Sequence, residues 1–317
     1  MDREENEDIW NNKPPLGENK LDKNNKEYRL REVKCPTGFN WSNLKAELKA
    51  VWEANIKDWK IEFAYPVSFI RQLISPLVFL LPFLLYGIVL VGGTESANLK
   101  QLVGTGDVVA FIFTGYMMIG FIGTAVWAMG FSIRRERWFG TLEAIYVTPT
   151  SRLVQVLGMA LHSTVHQILG TIIQLIVIYL TFGLALKMDG VLPALGIFAL
   201  MMLALYGFGI VISALGLLLK EGWVVSDILY STMTILSPVA YPLIVLPTVA
   251  QQASALFPTA PALIGMRSFL IENYRAEAFG NVFLHLLVLG AAWILFGVFV
   301  FKLTDKYVRK RGMLNKF

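Results

Sequence analysis

The sequence predicts an all-α membrane protein with six spanning helices, an amphipathic helix ahead of the first and a re-entrant or interfacial helical hairpin ahead of the last. Three observations carry that expectation. The 317 residues are 55% hydrophobic, with a mean hydropathy of +0.56. Six apolar blocks, about 72–92, 108–133, 153–186, 194–218, 225–246 and 281–301, approach or exceed the roughly 20 residues that a bilayer-crossing helix needs. Among them only the fifth holds an Asp, Glu, Lys or Arg, with Asp227 near its start.

Residues 1–42 read as a disordered tail. The first 34 contain 17 charged residues and few large apolar ones, too little surface to offset the entropy of ordering. No apolar core of a cleavable leader occurs in the first 40, so the first span is expected to serve as the signal. Cys35 is the only cysteine, which excludes an intrachain disulfide and a cysteine metal cluster.

Residues 43–66 carry Leu44, Leu48, Val51, Trp52, Ile56, Trp59 and Phe63 at helical spacing, with Lys45, Lys49, Glu53, Lys57 and Lys60 on or near the other side. Trp and Leu facing Lys across one helix predict an amphipathic element lying in the headgroups. Pro66 then turns the chain into a transmembrane domain expected over 67–303. Its first span contains Pro76 and Pro82, tolerated in membrane helices at the cost of a kink. The second repeats small residues, Gly115, Gly120, Gly123, Ala125, Ala128 and Gly130, which let helices approach closely in lipid. The third block is long enough to tilt or to project beyond the bilayer.

Within that block His162 and His166 share a face at i and i+4, a spacing able to bind a transition metal. No Glu follows the first His and no acid lies near in sequence, so the pair reads as a polar patch lining the interior or the headgroup zone, and no metal site is expected. After the fifth block, Pro238, Tyr241, Pro242, Pro247 and Pro258 break a stretch too polar to span and too apolar to hang free; a hairpin forming an outer gate satisfies both constraints. Residues 304–317 form a basic tail. With both ends inside, the inner segments hold sixteen Lys and Arg against four outside, Lys100, Lys187, Arg267 and Arg275. The bias accounts for most of the net charge of +5 without a nucleic-acid partner.

The most specific stretch is the charged island between the second and third blocks: Arg134, Arg135, Glu136, Arg137, then Gly140-Thr141-Leu142-Glu143, then Thr148-Pro149. It resembles the loop between the second and third spans of ABC-2 permeases of ABC transporters, in the drug-resistance and lipid-exporter branch. The Trp138-Phe139 pair departs from the polar spacing usual there. Over about 43–317 the resemblance extends to the entry helix, the six spans, the proline-rich region and the basic tail.

That resemblance implies a transport subunit, not itself an enzyme, in the cell membrane with both termini cytoplasmic. Two permeases, identical or paralogous, would join two ATPase subunits docking on 134–150. The chain has no phosphate-binding loop, so ATP and Mg would be held by the partner and no cofactor by this chain. Thr141 would cap a short coupling helix, and Glu136 or Glu143 would pair with basic residues of the ATPase. An amphipathic drug or lipid is the implied cargo, moved outward, with polysaccharide or glycolipid as the alternative. A channel or secondary transporter would place coupling residues inside the spans, and an intramembrane enzyme would need a dyad or metal cluster at bilayer depth; the blocks offer little of either.

Overall fold

A computed structural model describes residues 44–141, 144, 145, 148, 150–219, 222–271, 273 and 281–311. Within them the regular structure is helical, joined by turns and loops, with one isolated bridge between Glu95 and Asp107. Helix α1 covers Leu44–Ala64, α2 Pro66–Val91, α3 Ala97–Val103, α4 Val108–Trp138 and α5 Leu153–Phe182. There follow α6 Val191–Leu218, α7 Gly222–Leu236, α8 Thr248–Ser254, α9 Thr259–Leu270 and α10 Val282–Arg311.

Local chemistry sets most of these boundaries. Pro66 opens α2, where its missing N–H costs nothing, and Gly92 closes it with a left-handed backbone, φ 81°. Ser96 and Asp107 cap α3 and α4 by accepting the N–H groups of Leu99 and Ala110. Gly183, φ 65°, ends α5 at Phe182, four residues before the expected end of the third block.

Five helices are long and apolar enough to cross a membrane, those beginning at Pro66, Val108, Leu153, Met188 and Val282. The expected fifth span, 225–246, is not one helix. Its helix stops at Leu236, because Ser237 precedes a proline and Pro238 cannot donate to the preceding turn. At 1.5 Å per residue its 15 residues reach about 22 Å, short of a roughly 30 Å hydrocarbon core. The last helix instead continues past 301 to Arg311, so the first part of the expected tail is helical. The tail at 1–42, Cys35, Lys220, Arg275 and residues 312–317 lie outside the described residues.

α4 and α6 form the centre. Of their most apolar stretches 72% and 56% is buried, against 11–17% for α2, α5 and α10. Met118, Phe121, Met201, Leu205 and Leu263 fill the middle. Glycines set the close approaches expected of the second span: a methyl on Gly130 would lie 2.6 Å from Ile212 Cγ2, and one on Gly115 only 2.0 Å from the Val239 carbonyl. Between them α4 widens into a π-turn, Thr124–Met129, the kind of one-residue insertion found in helices at functional positions.

Candidate functional site

Glu136 organises the Arg-rich end of the molecule. α4 ends in a Schellman motif: the Gly140 N–H donates to Arg137 O at 3.1 Å and the Thr141 N–H to Glu136 O at 3.0 Å, with Gly140 left-handed at φ 69°. This gives Gly140 and Thr141 of the charged island a structural reason. The turn returns the Thr141 hydroxyl to Glu136 Oε2 at 2.5 Å. The other carboxylate oxygen receives Lys57 Nζ of α1 at 2.5 Å and Gln155 Nε2 of α5 at 2.8 Å. One carboxylate therefore ties together α1, α4, α5 and the start of the loop.

The remaining island residues divide. Arg135 Nη2 lies 2.5 Å from Asp58 Oδ1 of α1. The Arg134 guanidinium stands over the rings of Phe131 and Trp138, and the Thr148 hydroxyl caps Ile145 O and meets Thr150. Arg137 holds the carbonyl that receives Gly140. Trp138 and Phe139 are 72% and 70% exposed, an apolar knob beside the loop. Leu142, Glu143 and Pro149 lie outside the described residues. Glu136 itself is 5% exposed, so its acceptor capacity is spent within the chain and does not point outward to a partner.

α1 meets this site with a face that its amphipathic pattern concealed. Of the expected apolar side, Leu44, Leu48, Trp52 and Phe63 are exposed, whereas Val51, Ile56 and Trp59 are half-buried. Glu47, Asn55 and Asp58 are buried on the side packed against α5, where a methyl on Gly158 would lie 2.6 Å from Ala54 Cβ. Glu47, Val51, Asn55, Asp58 and Glu62 recur at steps of four, four, three and four, a helical stripe visible in the sequence but masked by the stronger Trp and Leu pattern.

That stripe supplies the acid that the histidines lack in sequence. His162 Nε2 lies 2.8 Å from Glu62 Oε2 and His166 Nε2 3.1 Å from Glu62 Oε1, so one carboxylate joins both rings. Trp59 packs edge-on against His162 and Phe69 against His166. No group of three or more His, Cys, Asp and Glu among the described residues is arranged to hold a metal. Burial pushes the Glu62 carboxyl above its ordinary range and the Asp58 carboxylate adds to this, while Arg135 opposes it. Burial also pushes Asp58 up, against the pull of Arg135 and Lys57.

At the other end the prolines build a folded hairpin. Pro238, Tyr241 and Pro242 form the turn after α7, Pro247 precedes α8, and Pro258 precedes α9. The Tyr241 hydroxyl donates to Ile235 O, and Ser237 and Thr259 share a hydrogen bond. What locks the turn is Arg267 of α9, expected as an outer charge yet fully buried. It donates from Nη1 to Pro238 O at 2.6 Å, and from Nη2 to Val239 O and to Phe111 O, both at 2.7 Å. Its guanidinium also lies 3.6 Å from the Phe111 ring centroid. No periodicity distinguishes such a residue from a solvated arginine.

A family model described as ABC-2 type transporter matches residues 46–271, which contain both ends of this arrangement, the Glu136 knot and the Arg267 clamp. Among curated proteins no significant match is found.

Proposed function

The chain belongs to the ABC-2 type transporter family, and from that premise we propose that it is the permease of an ATP-driven exporter of an amphipathic drug or lipid, energised by a separate ATPase docking on 134–150. Membership makes it a multi-pass membrane component of an ABC transporter, of the kind that lacks a nucleotide-binding domain and works with an ABC ATPase. In the proposed complex two permeases join two ATPases in the cell membrane, with both termini cytoplasmic.

The observation that carries the coupling role is the Glu136 knot. A push on the loop beyond Gly140 reaches Thr141, and through one carboxylate it bears on Lys57 of α1 and Gln155 of α5. Charge-assisted contacts in such a knot are short and directional, so movement at the loop is passed to the helices rather than absorbed. The exposed Trp138 and Phe139 supply the apolar contact that a partner would bury, and Glu136 transmits what arrives there.

Coexpression with its ATPase, purification and transport assay separate these two roles. Trp138→Ala/Phe139→Ala should weaken recovery of the ATPase. Glu136→Gln keeps the shape and removes the charge, so it should leave recovery intact and lower transport, each charge-assisted bond being worth roughly 1.5–3 kcal/mol. Undiminished transport in Glu136→Gln would remove the coupling role.

A further inference from the structure

A cavity of about 190 Å³ with a mixed polar and apolar lining opens between α2, α4, α5 and α7. Ser75, Phe79, Tyr116, Gln167, Gln174 and Tyr230 line it. Gln174 is fully buried, and neither its Oε1 nor its Nε2 has a hydrogen-bond partner among the described residues. Gln167, seven residues earlier on the same face of α5, lays its amide into the notch left by Gly120, where a methyl would lie 2.1 Å from Nε2. Among the described residues its hydrogen bond is a long one, 3.4 Å to Thr171 Oγ1.

A buried amide without partners is retained against its desolvation cost, and side-chain amides in membrane helices ordinarily bond across to a neighbour. Here two face one space together with two phenols and a serine. Among the described residues no Asp, Glu, Lys, Arg or His lines that space, so none of these would compensate the charge of an ion there. The volume far exceeds the ~10–15 Å³ that a single water needs. Amides offer donors and acceptors together, and aromatic rings offer faces to C–H groups; that combination suits an uncharged group bearing hydroxyls or amides. Phe79 is 68% exposed, which sets the mouth at the outer surface of α2 and leaves an attached apolar tail outside.

We propose that this cavity binds the uncharged, hydroxyl- or amide-bearing headgroup of the amphipathic molecule that the permease moves, with Gln174 and Gln167 as its hydrogen-bonding residues. The assignment rests on the permease reading and narrows its cargo to neutral headgroups. Anionic amphiphiles are excluded by the same chemistry.

The probe is a diazirine-bearing monoacylglycerol, photolysed with the full-length permease and its ATPase in nanodiscs. Adducts should map to 66–91 and 153–182, and unlabelled monoacylglycerol should compete while a fatty acid of equal length does not. Labelling should fall about tenfold in Gln174→Leu and measurably in Gln167→Leu, as expected for loss of hydrogen bonds in a desolvated site. Gln174→Leu should also melt no lower than wild type, since leucine replaces an amide that bonds to nothing in the protein. Equal labelling of Gln174→Leu, equal competition by the fatty acid, or a lowered melting temperature in that variant would each overturn the assignment. Trapping the ATP-bound state should reduce labelling; labelling indifferent to nucleotide makes the occupant a resident lipid and also overturns it. ATPase recovery from the same sample separates the two levels: failure of the ATPase to assemble sinks the permease reading, whereas unchanged labelling of Gln174→Leu in an assembled complex sinks the headgroup site alone.

Discussion

Arg267 carries a permanent charge into a fully buried position and, among the described residues, donates to the carbonyls of Phe111, Pro238 and Val239 and to the Thr114 hydroxyl. The carbonyls of Pro238 and Val239 sit in a proline-broken turn where helical donors are missing, and the guanidinium fork supplies two at once. Gly115 shares the task, because only a residue without Cβ lets the Val239 carbonyl come so close to α4. Arg267→Met should therefore lower stability by roughly 2–5 kcal/mol through two stranded buried carbonyls, and Gly115→Ala by ~1–3 kcal/mol through overpacking. Both act on one carbonyl, so the double variant should cost less than the two separate losses together. Thermal unfolding in detergent reads the cycle, and strict additivity would uncouple the two residues.

At the scale of elements, α1 is the helix whose role differs most from its pattern. Its exposed Trp and Leu side is what an amphipathic reading selects, whereas the face that packs is acidic and meets α4 and α5. Glu62 makes that packing depend on pH. Its folded-state pKa is raised, so the stability it contributes is fully present below the ordinary carboxyl range and is lost as pH rises through the raised value. The groups facing it are His162 and His166 on α5, Asp58 on its own helix, Arg135 on α4 and Gln72 on α2. Glu62→Gln removes the titration, so the stability of wild type relative to this variant should fall as pH is raised from about 4. Melting curves for both proteins across that range decide it, and a difference that grows with pH reverses the sign.

Five of the six expected spans and the small residues of α4 were legible in the sequence, because lipid imposes length and composition directly, and Pro66 marked the start of α2. The Glu62 partnership with the histidines was not, since a hundred positions separate Glu62 from His162 and only tertiary packing brings them together. Nor was the early end of α7: apolar composition runs through residues 237–246 without recording that Pro238 has no N–H to give. Gly140 and Thr141 were recognised by resemblance, but their reason, a helix terminus that returns a hydroxyl to Glu136, needed the backbone.

On the scale of the whole molecule, α4 and α6 stand at the centre, with α2, α5 and α10 outside them. The Lys and Arg bias predicts a cytoplasmic Glu136 end and an exterior Arg267 end. Single cysteines in a Cys35→Ala background test this at exposed positions. Asn98→Cys and Gln252→Cys should react with an impermeant thiol reagent in intact cells, and Thr148→Cys should not. Labelling of Thr148→Cys from outside would invert the assignment.

The π-turn at Thr124–Met129 lies between the two anchored ends of α4. A π-turn accommodates one residue more than an α-helix, and each added residue advances the helical phase by about 100°. The azimuth of Glu136 relative to Gly115 is thus indexed by those six residues, as an offset keyed into a shaft. Removing one residue within 124–129 should let the segment revert to α-helix with both anchors still aligned. Removing one elsewhere in α4, such as Ile119, should turn one end about 100° out of phase and cost the fold, a contrast that recovery of monodisperse protein from the two deletions would read directly.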